Sequence, residues 1–442
     1  MPPPVRVESD EALPERSAVV VIGGGIIGVA TALELAERGI DVTLCEKGEI
    51  AAEQSSRNWG WCRQMGRDPR EIPLILESLK AWRGMNARVG AETGFRQSGI
   101  IYFLTTDAEV AAKTKWYEEN ARPYGLTTRL VSAAEAHDLQ PGAAVAWKAA
   151  LYSPDDGRAE PEIAAPAMAE AARRNGARII TGCAVRGVET KAGRVSAAVT
   201  EKGAIACDAV VLAGGAWSRL FLGNLGLALP QLTVVNSVMR SSPIETGLEP
   251  SASGGRFCFR RRLDGGYTIA HRHLSVADIL PESFPLARHF LPALMLDWKG
   301  LRLRFGRRFF DAARLKRRWS LDSVSPFETV RVLDPEPVDW ILDDALASLK
   351  QCFPAFERIE IAERWAGCID ATPDVVPVIS GVAAIPGLYL ATGFSGHGFG
   401  LGPGAGRLMA DLVTGAPPAV DPRPFRYGRY FDGTRPRPTT GV

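Results

Sequence analysis

Three glycines spaced G-x-G-x-x-G (Gly23, Gly25 and Gly28) and an acid, Glu46, are the residues whose types and spacing first suggest chemistry. Such a set binds a dinucleotide. The first glycine permits a tight turn, the second lets a pyrophosphate approach the backbone, and the third lets a helix pack on a strand. The acid accepts hydrogen bonds from ribose hydroxyls. The elements needed to position them are present in order: an apolar run from Val19 to Ile22, an apolar-periodic helix from Ile26 to Arg38, and a second apolar run from Val42 to Cys45 that ends on the acid. That is one β-α-β unit, whose helix offers free N–H groups and its positive dipole end to phosphates.

The chain has 442 residues, too many for one typical core, and a two-domain enzyme is expected. With 52 basic against 50 acidic side chains and 46% hydrophobic residues, neither disorder nor bulk nucleic-acid binding is indicated. The seven cysteines form no C-x-x-C pair, which suits a reducing, cytoplasmic setting better than a disulfide framework. Residues 1–16 hold prolines and acids where a signal peptide needs an apolar core and read as a flexible tail, and no apolar run is long enough to span a membrane.

Periodicity predicts a helix within residues 69–88 and a strand at residues 99–104. A helix over residues 161–175 and strands near Ile179 and Val185 follow, then a strand from Val210 to Leu212 entering Gly214 and Gly215. Strands dominate residues 231–363, where Asp264, Gly265 and Gly266 make a hairpin turn. The last block carries two apolar strands and a glycine-rich loop, residues 393–406, leading into a helix. The fold class expected is α/β. A Rossmann-like nucleotide domain is assembled from residues 17–98, 151–230 and 364–430, and an α+β substrate domain with a large, mostly antiparallel sheet from residues 99–150 and 231–363.

Taken together, the first unit, the AGGAWS strand end and the C-terminal motifs W-x-G-x-x-x-x-T-P-D (from Trp365) and G-F-S-G-H-G-F (from Gly393) resemble the FAD-dependent amine and amino-acid oxidoreductases of the D-amino-acid oxidase, glycine oxidase and sarcosine oxidase superfamily. The resemblance spans most of the chain and is loose over residues 240–340. It implies that Gly23, Gly25, Ile26, Ile27, Gly28, Glu46 and Lys47 hold the ADP half of FAD. It further implies that Ser55, Ser56, Arg57, Asn58, Trp59 and Gly60 lie along the isoalloxazine, with Val185 at the adenine end and Gly214, Gly215 and Trp217 near the phosphates or ribityl chain. Gly396, His397, Gly398, Phe399 and Gly400 would pass the pyrimidine edge, where backbone N–H groups leading into a helix stabilise the charge of the reduced ring.

His397 is read as holding loop geometry, not as the base, so no catalytic residue is assigned. Relatives with covalent flavin use a cysteine in the block that holds Cys368, or a histidine in the segment matching residues 55–60, which has none here. Cys368 is read as a small buried thiol and the FAD as noncovalent. Arg63, Tyr102, Arg260 and His271 are the substrate-side candidates. Arg63 is either a carboxylate clamp or a surface arginine among Arg67 and Arg70. Arg260, Arg261, Arg262, His271, Arg272 and His273 alternate on two paired strands, so some face a pocket and some solvent. Two departures from sarcosine oxidase-like members stand out. Gly400 replaces their carboxylate-binding lysine, and Thr268 stands where they place an oxygen-activating one, which makes sarcosine doubtful and fast reaction with oxygen not assured.

The activity implied is oxidation of a C–N bond in a small amine or amino acid by hydride transfer to FAD, with a dehydrogenase preferred over an oxidase. The alternative is a flavin-bearing subunit or interaction module of a larger complex; an NAD-dependent dehydrogenase leaves the C-terminal glycine loop unexplained. Residues 281–320 fit no strand of the family's substrate domain. They hold ten Lys or Arg against Glu282, Asp297 and Asp311, in a chain of net charge +2, with Phe290, Trp298, Phe305, Phe309, Phe310 and Trp319 among them. This basic helical insertion either meets an anionic membrane surface or protein partner, or packs on its own domain or a second copy. No metal and no nucleic acid are expected.

Overall fold

The computed structural model describes residues 2–296, 298–434 and 436–439. Val19–Ile22 pairs in parallel with Val42–Cys45 on one side and Ala209–Leu212 on the other, at the centre of a six-stranded sheet. Arg178–Ile180 extends one edge in parallel, while Leu388–Thr392 and an antiparallel Val378–Gly381 extend the other. All four residues of each of the three central strands are buried, as expected of parallel strands covered on both faces. The helices Ile26–Glu37, Pro161–Arg174 and Gly398–Thr414 pack together on this sheet. Their contact is close because it is built on small residues. A Cβ at Gly406 would come within 2.6 Å of the Ala30 backbone, and on its other side one at Gly404 within 2.7 Å of the Leu74 carbonyl of the helix Ile72–Arg83.

The second layer is a ten-stranded mixed sheet. Its path runs Leu301–Arg304, Ser275–Asp278, Leu232–Ser241, Tyr267–His271, Phe257–Arg261, Ser251–Gly254, Ile100–Leu104, Ala149–Ser153 and Arg129–Ser132, with Ile361–Ala371 also paired to Leu232–Ser241. The helix Asp339–Cys352 packs on it and buries a cluster of Phe257, Phe259, Tyr267, Phe353 and Phe356. A three-stranded sheet, Val185–Lys191, Arg194–Thr200 and Gly203–Ala206, flanks the first.

Three expectations are corrected. Residues 1–16 are no tail: Val5 N–H donates to the Glu162 carbonyl, Val7 is buried, and the Asp10 carboxylate accepts from Ile179 N–H. Docking here relies on backbone bonds, which composition does not reveal. The block from residue 364 does not return directly to the nucleotide domain, since Ile361–Ala371 pairs along nearly all of Leu232–Ser241 and so belongs to the larger sheet until Ala371. The larger sheet also claims Ala149–Ser153.

Residues 281–320 are helical only in part, because Leu301–Arg304 joins the edge of the larger sheet in parallel with Ser275–Asp278, between the helices Ser283–Leu296 and Arg307–Arg314. Trp319 packs into the core beside Phe327. Phe284, Met295 and Trp298 remain 66, 64 and 63% exposed, and Leu303, Phe305 and Phe310 are exposed as well. Asp297 lies outside the described residues.

Candidate active site

One cavity of about 700 Å³ runs from the glycine turn to the face of the larger sheet, within the size range of sites that enclose small molecules. At one end Gly23 takes a φ of +108°, and a Cβ there would lie 2.5 Å from the Ala213 carbonyl. The Gly28 position faces the Gly23 carbonyl, where a Cβ would sit at 1.9 Å, so this glycine serves packing and does not reach the cavity wall. Gly25, Ile26 and Ile27 do reach it. Ile26 N–H donates to Ser55 Oγ at 2.8 Å. Among the described residues the amides of Gly25 and Ile27 have no protein acceptor. Two free N–H groups at the start of a twelve-residue helix suit a pyrophosphate.

Glu46 lies on the wall with its carboxylate fixed from both sides, Oε2 accepting from Gly24 N–H at 2.6 Å and Oε1 from Gly48 N–H at 2.7 Å. Burial raises its pKa, and those two amides oppose the rise. Each oxygen keeps a further lone pair for a ribose hydroxyl. Lys47 is different. Its ammonium donates to Glu53 and to the Val330 and Arg331 carbonyls and lies 4.6 Å from the Trp217 ring centre, so its three protons are engaged within the protein. Glu53 is the hub that sequence reading missed: it also accepts from Trp217 Nε1 and Leu333 N–H.

Ser55, Arg57 and Asn58 line the cavity, as do Val185, Gly214, Gly215 and Trp217. Ser56 and Gly60 do not. Ser56 is buried behind the wall, and Gly60, at φ +78°, turns the chain where a Cβ would meet the Ala159 carbonyl at 2.4 Å. Arg57 is buried and holds the Ala52 and Ala366 carbonyls together with Asp334. Asn58 closes the short helix Gln54–Arg57, donating to the Gln54 and Ser55 carbonyls and accepting from Gly60 N–H.

Gly396, His397, Gly398 and Phe399 form the facing wall, where the seventeen-residue helix Gly398–Thr414 begins. Its positive dipole end therefore points at the cavity. The loop before it is held by Asp370, a buried carboxylate that accepts from Gly393 N–H at 2.7 Å and from Thr392 and Gln231, its pKa pushed up to about 6 by burial. His397 is buried with Nδ1 3.0 Å from Glu71, and burial lowers its pKa to about 4; it is neutral near pH 7. Gly400 lies off the wall. Its carbonyl accepts from Ser78 Oγ and Trp82 Nε1, and a Cβ would lie 3.1 Å from the Trp61 carbonyl, a tight approach. Cys368 does line the cavity, its thiol raised by burial and accepting from Arg308 at 3.4 Å.

The substrate-side candidates divide. Arg63 and Tyr102 line the cavity. Arg260 does not. Its guanidinium grips Glu160 with two bonds of 2.8 Å and donates to the Trp59 carbonyl, beneath the Trp59–Gly60 turn. Arg261 points outward to Glu245 and Glu249. His271 also turns away: its ring pairs with Asp344 and accepts the His273 and Leu274 amides beside a separate surface hollow. The strand ends at His271, alternation ends with it, and Arg272 and His273 both enter the main wall. Thr268 is buried against Arg262, off the cavity. Arg67, Lys113 and Trp116 complete this end. No signal in the sequence marked Lys113, since the helix Asp107–Trp116 that carries it is polar and buries none of its residues fully. Among the described residues no group of three metal-ligating side chains occurs.

Residues 18–412 match the family model described as FAD dependent oxidoreductase. The structure of L-amino acid deaminase from Proteus myxofaciens in complex with anthranilate superposes with a TM-score of 0.93 at 38% identity, covering 97% of this chain and 96% of that one. L-Proline dehydrogenase from P. horikoshii superposes with a TM-score of 0.78 at 26% identity, over 95% of this chain and 99% of that one. Glycine oxidase of Pseudomonas putida is 26% identical over 415 residues, 92% of this chain and 97% of its own length.

Proposed function

Because this chain belongs to the FAD dependent oxidoreductase family, we propose that it oxidises the C–N bond of an amino acid with FAD held noncovalently in the cavity. The observation that carries this reading is the continuity of one cavity from the Gly23 turn and Glu46, past the start of the helix Gly398–Thr414, to a cationic end formed by Arg63 and Arg272. Bound FAD supplies a two-electron acceptor. In our reading the Gly25 and Ile27 amides take its pyrophosphate, Glu46 its ribose, and the amides opening at Gly396–Phe399 the pyrimidine edge of its ring. Gly28, Ser56, Gly60 and Gly400 shape this cradle from behind, and Lys47 stands on its wall with its ammonium bonded within the protein.

The substrate's carboxylate goes to a guanidinium of the cationic end, which fixes its Cα–H bond toward the ring. That C–H bond breaks with both electrons, a proton leaves the nitrogen, and C=N forms; water then adds and the amine departs. His397, neutral and turned to Glu71, keeps the loop in shape and handles no proton. The buried, raised thiol of Cys368 is a poor nucleophile, which fits noncovalent FAD. Reduction of the bound flavin by an amino acid is the test.

With Thr268 standing where sarcosine oxidase-like members place an oxygen-activating lysine, and buried off the cavity, electrons pass to a quinone-like or protein acceptor in preference to oxygen. The exposed aromatic residues and arginines of residues 281–320 supply a surface for an anionic membrane. Among the described residues no helix is long and apolar enough to cross a membrane, so such attachment is peripheral. Leu296 of the same excursion lines the cavity and Arg308 reaches Cys368, which ties this surface to the site.

A further inference from the structure

The substrate end of the cavity carries more positive charge than one carboxylate neutralises. Arg63, Arg67, Lys113 and Arg272 all contribute to its wall. They gather about Tyr102: Lys113 Nζ lies 5.5 Å from its ring centre, and Arg63 Nη1 and Tyr102 Cε2 stand 3.2 and 3.8 Å from the place a Cβ would take on Gly66.

Counter-charge is sparse. Arg272 has Glu109 at 3.5 Å. Arg67 has Glu71 at 3.8 Å, and its buried Nη1 has no hydrogen-bond acceptor among the described residues. Within the same residues no carboxylate comes within 4.0 Å of Arg63 or Lys113. Asp156, close behind, gives its oxygens to the Gln64 and Met65 amides, and burial pushes its carboxyl up to about 7, which weakens it as a counter-ion. Burial first, then Arg272 and Arg63, lower Lys113 to about 8 against the opposing pull of Glu109.

A carboxylate pairs bidentately with one guanidinium. A substrate with a single carboxylate would satisfy one arginine and strip water from the rest, leaving charges desolvated without partners. We propose that the substrate is an acidic amino acid, its α-carboxylate on one arginine and its side-chain carboxylate on the Lys113 ammonium. This rests on the amino-acid-oxidising reading above and names its substrate class. Trp61, Tyr102 and Trp116 flank the path between the two anions and suit the methylene chain that joins them.

The test uses holoenzyme with FAD bound. Glutarate and pentanoate, which differ only in the second carboxylate, are titrated while the flavin spectrum and thermal midpoint are followed. Aspartate, glutamate, asparagine, glutamine and leucine are then compared as anaerobic reductants. The expected result is at least tenfold tighter binding of glutarate and at least a tenfold higher kcat/KM for an acidic substrate than for its amide. Lys113→Gln should bring both ratios toward one, and Lys113→Arg should restore them. Preference for neutral or aromatic substrates, or equal ratios in the wild type, would overturn the inference and leave amino-acid oxidation standing. Reduction by no amino acid would remove both.

Discussion

Arg260 and Glu160 meet through two parallel bonds of 2.8 Å, both side chains buried, directly beneath the turn that carries Trp59 and Gly60. The pair supports the middle of the cavity without facing it. Burial would raise Glu160, but Arg260 and Arg262 hold it at about 2. Removing Arg260 strips buried Glu160 of its bidentate partner and leaves it only Arg262 and Arg158 at 3.8 and 3.9 Å and the Leu263 amide, so Arg260→Met should destabilise the fold by about 3 kcal/mol. Because the folded-state pKa is depressed, the stabilisation is complete above the ordinary range near 4.5 and is lost as pH falls through about 2. Chemical denaturation of wild type and variant at pH 7 and pH 3 checks this. A large rise in KM with unchanged stability would mean that Arg260 binds substrate.

Glu46→Ala should weaken FAD binding on the order of tenfold to a hundredfold, since a hydrogen bond to a charged acceptor contributes about 1.5 to 3 kcal/mol. The carboxylate also fixes the Gly24 and Gly48 amides. Glu46→Gln, which keeps an acceptor, should therefore lose less than Glu46→Ala. Equal dissociation constants for wild type and the alanine variant would place the ribose elsewhere.

How much of this was legible in the sequence depends on the range of the interaction. Gly23 and Gly28 announce themselves because their geometry is settled by the next few residues: a positive φ at one, and a Cβ-free approach to the first glycine's own carbonyl at the other. Arg260 and His271 turn away from the cavity because pairing register and the end of a strand decide which way a side chain faces, and neither is written locally. Lys113 could not be found at all, since only tertiary closure brings its helix to the wall. The docking of residues 1–16 relies on backbone hydrogen bonds, which composition does not encode.

Electron acceptor choice should follow from the environment of the flavin face. Dye-coupled turnover with a quinone or phenazine should exceed turnover in air. Equal or faster oxygen consumption would show that oxygen is activated without a lysine at the Thr268 position.

Attachment through residues 281–320 should depend on salt. The purified protein should sediment with vesicles containing anionic lipid at low ionic strength and less at high, as screening shortens the reach of its arginines. Phe284→Ser with Trp298→Ser should reduce sedimentation, because both side chains are exposed. Absence of binding to anionic vesicles at low salt would leave these residues to a protein partner or a second copy.

The most direct measurement is the visible spectrum of the purified protein, reconstituted with FAD where needed, before and after anaerobic addition of amino acids. The account predicts a flavin spectrum that bleaches with an amino-acid substrate, and a yellow supernatant once acid precipitates the protein. Failure to bind FAD, or bound flavin that no amino acid or amine reduces, would contradict it; flavin that stays with the pellet would contradict its noncovalent attachment and point to Cys368.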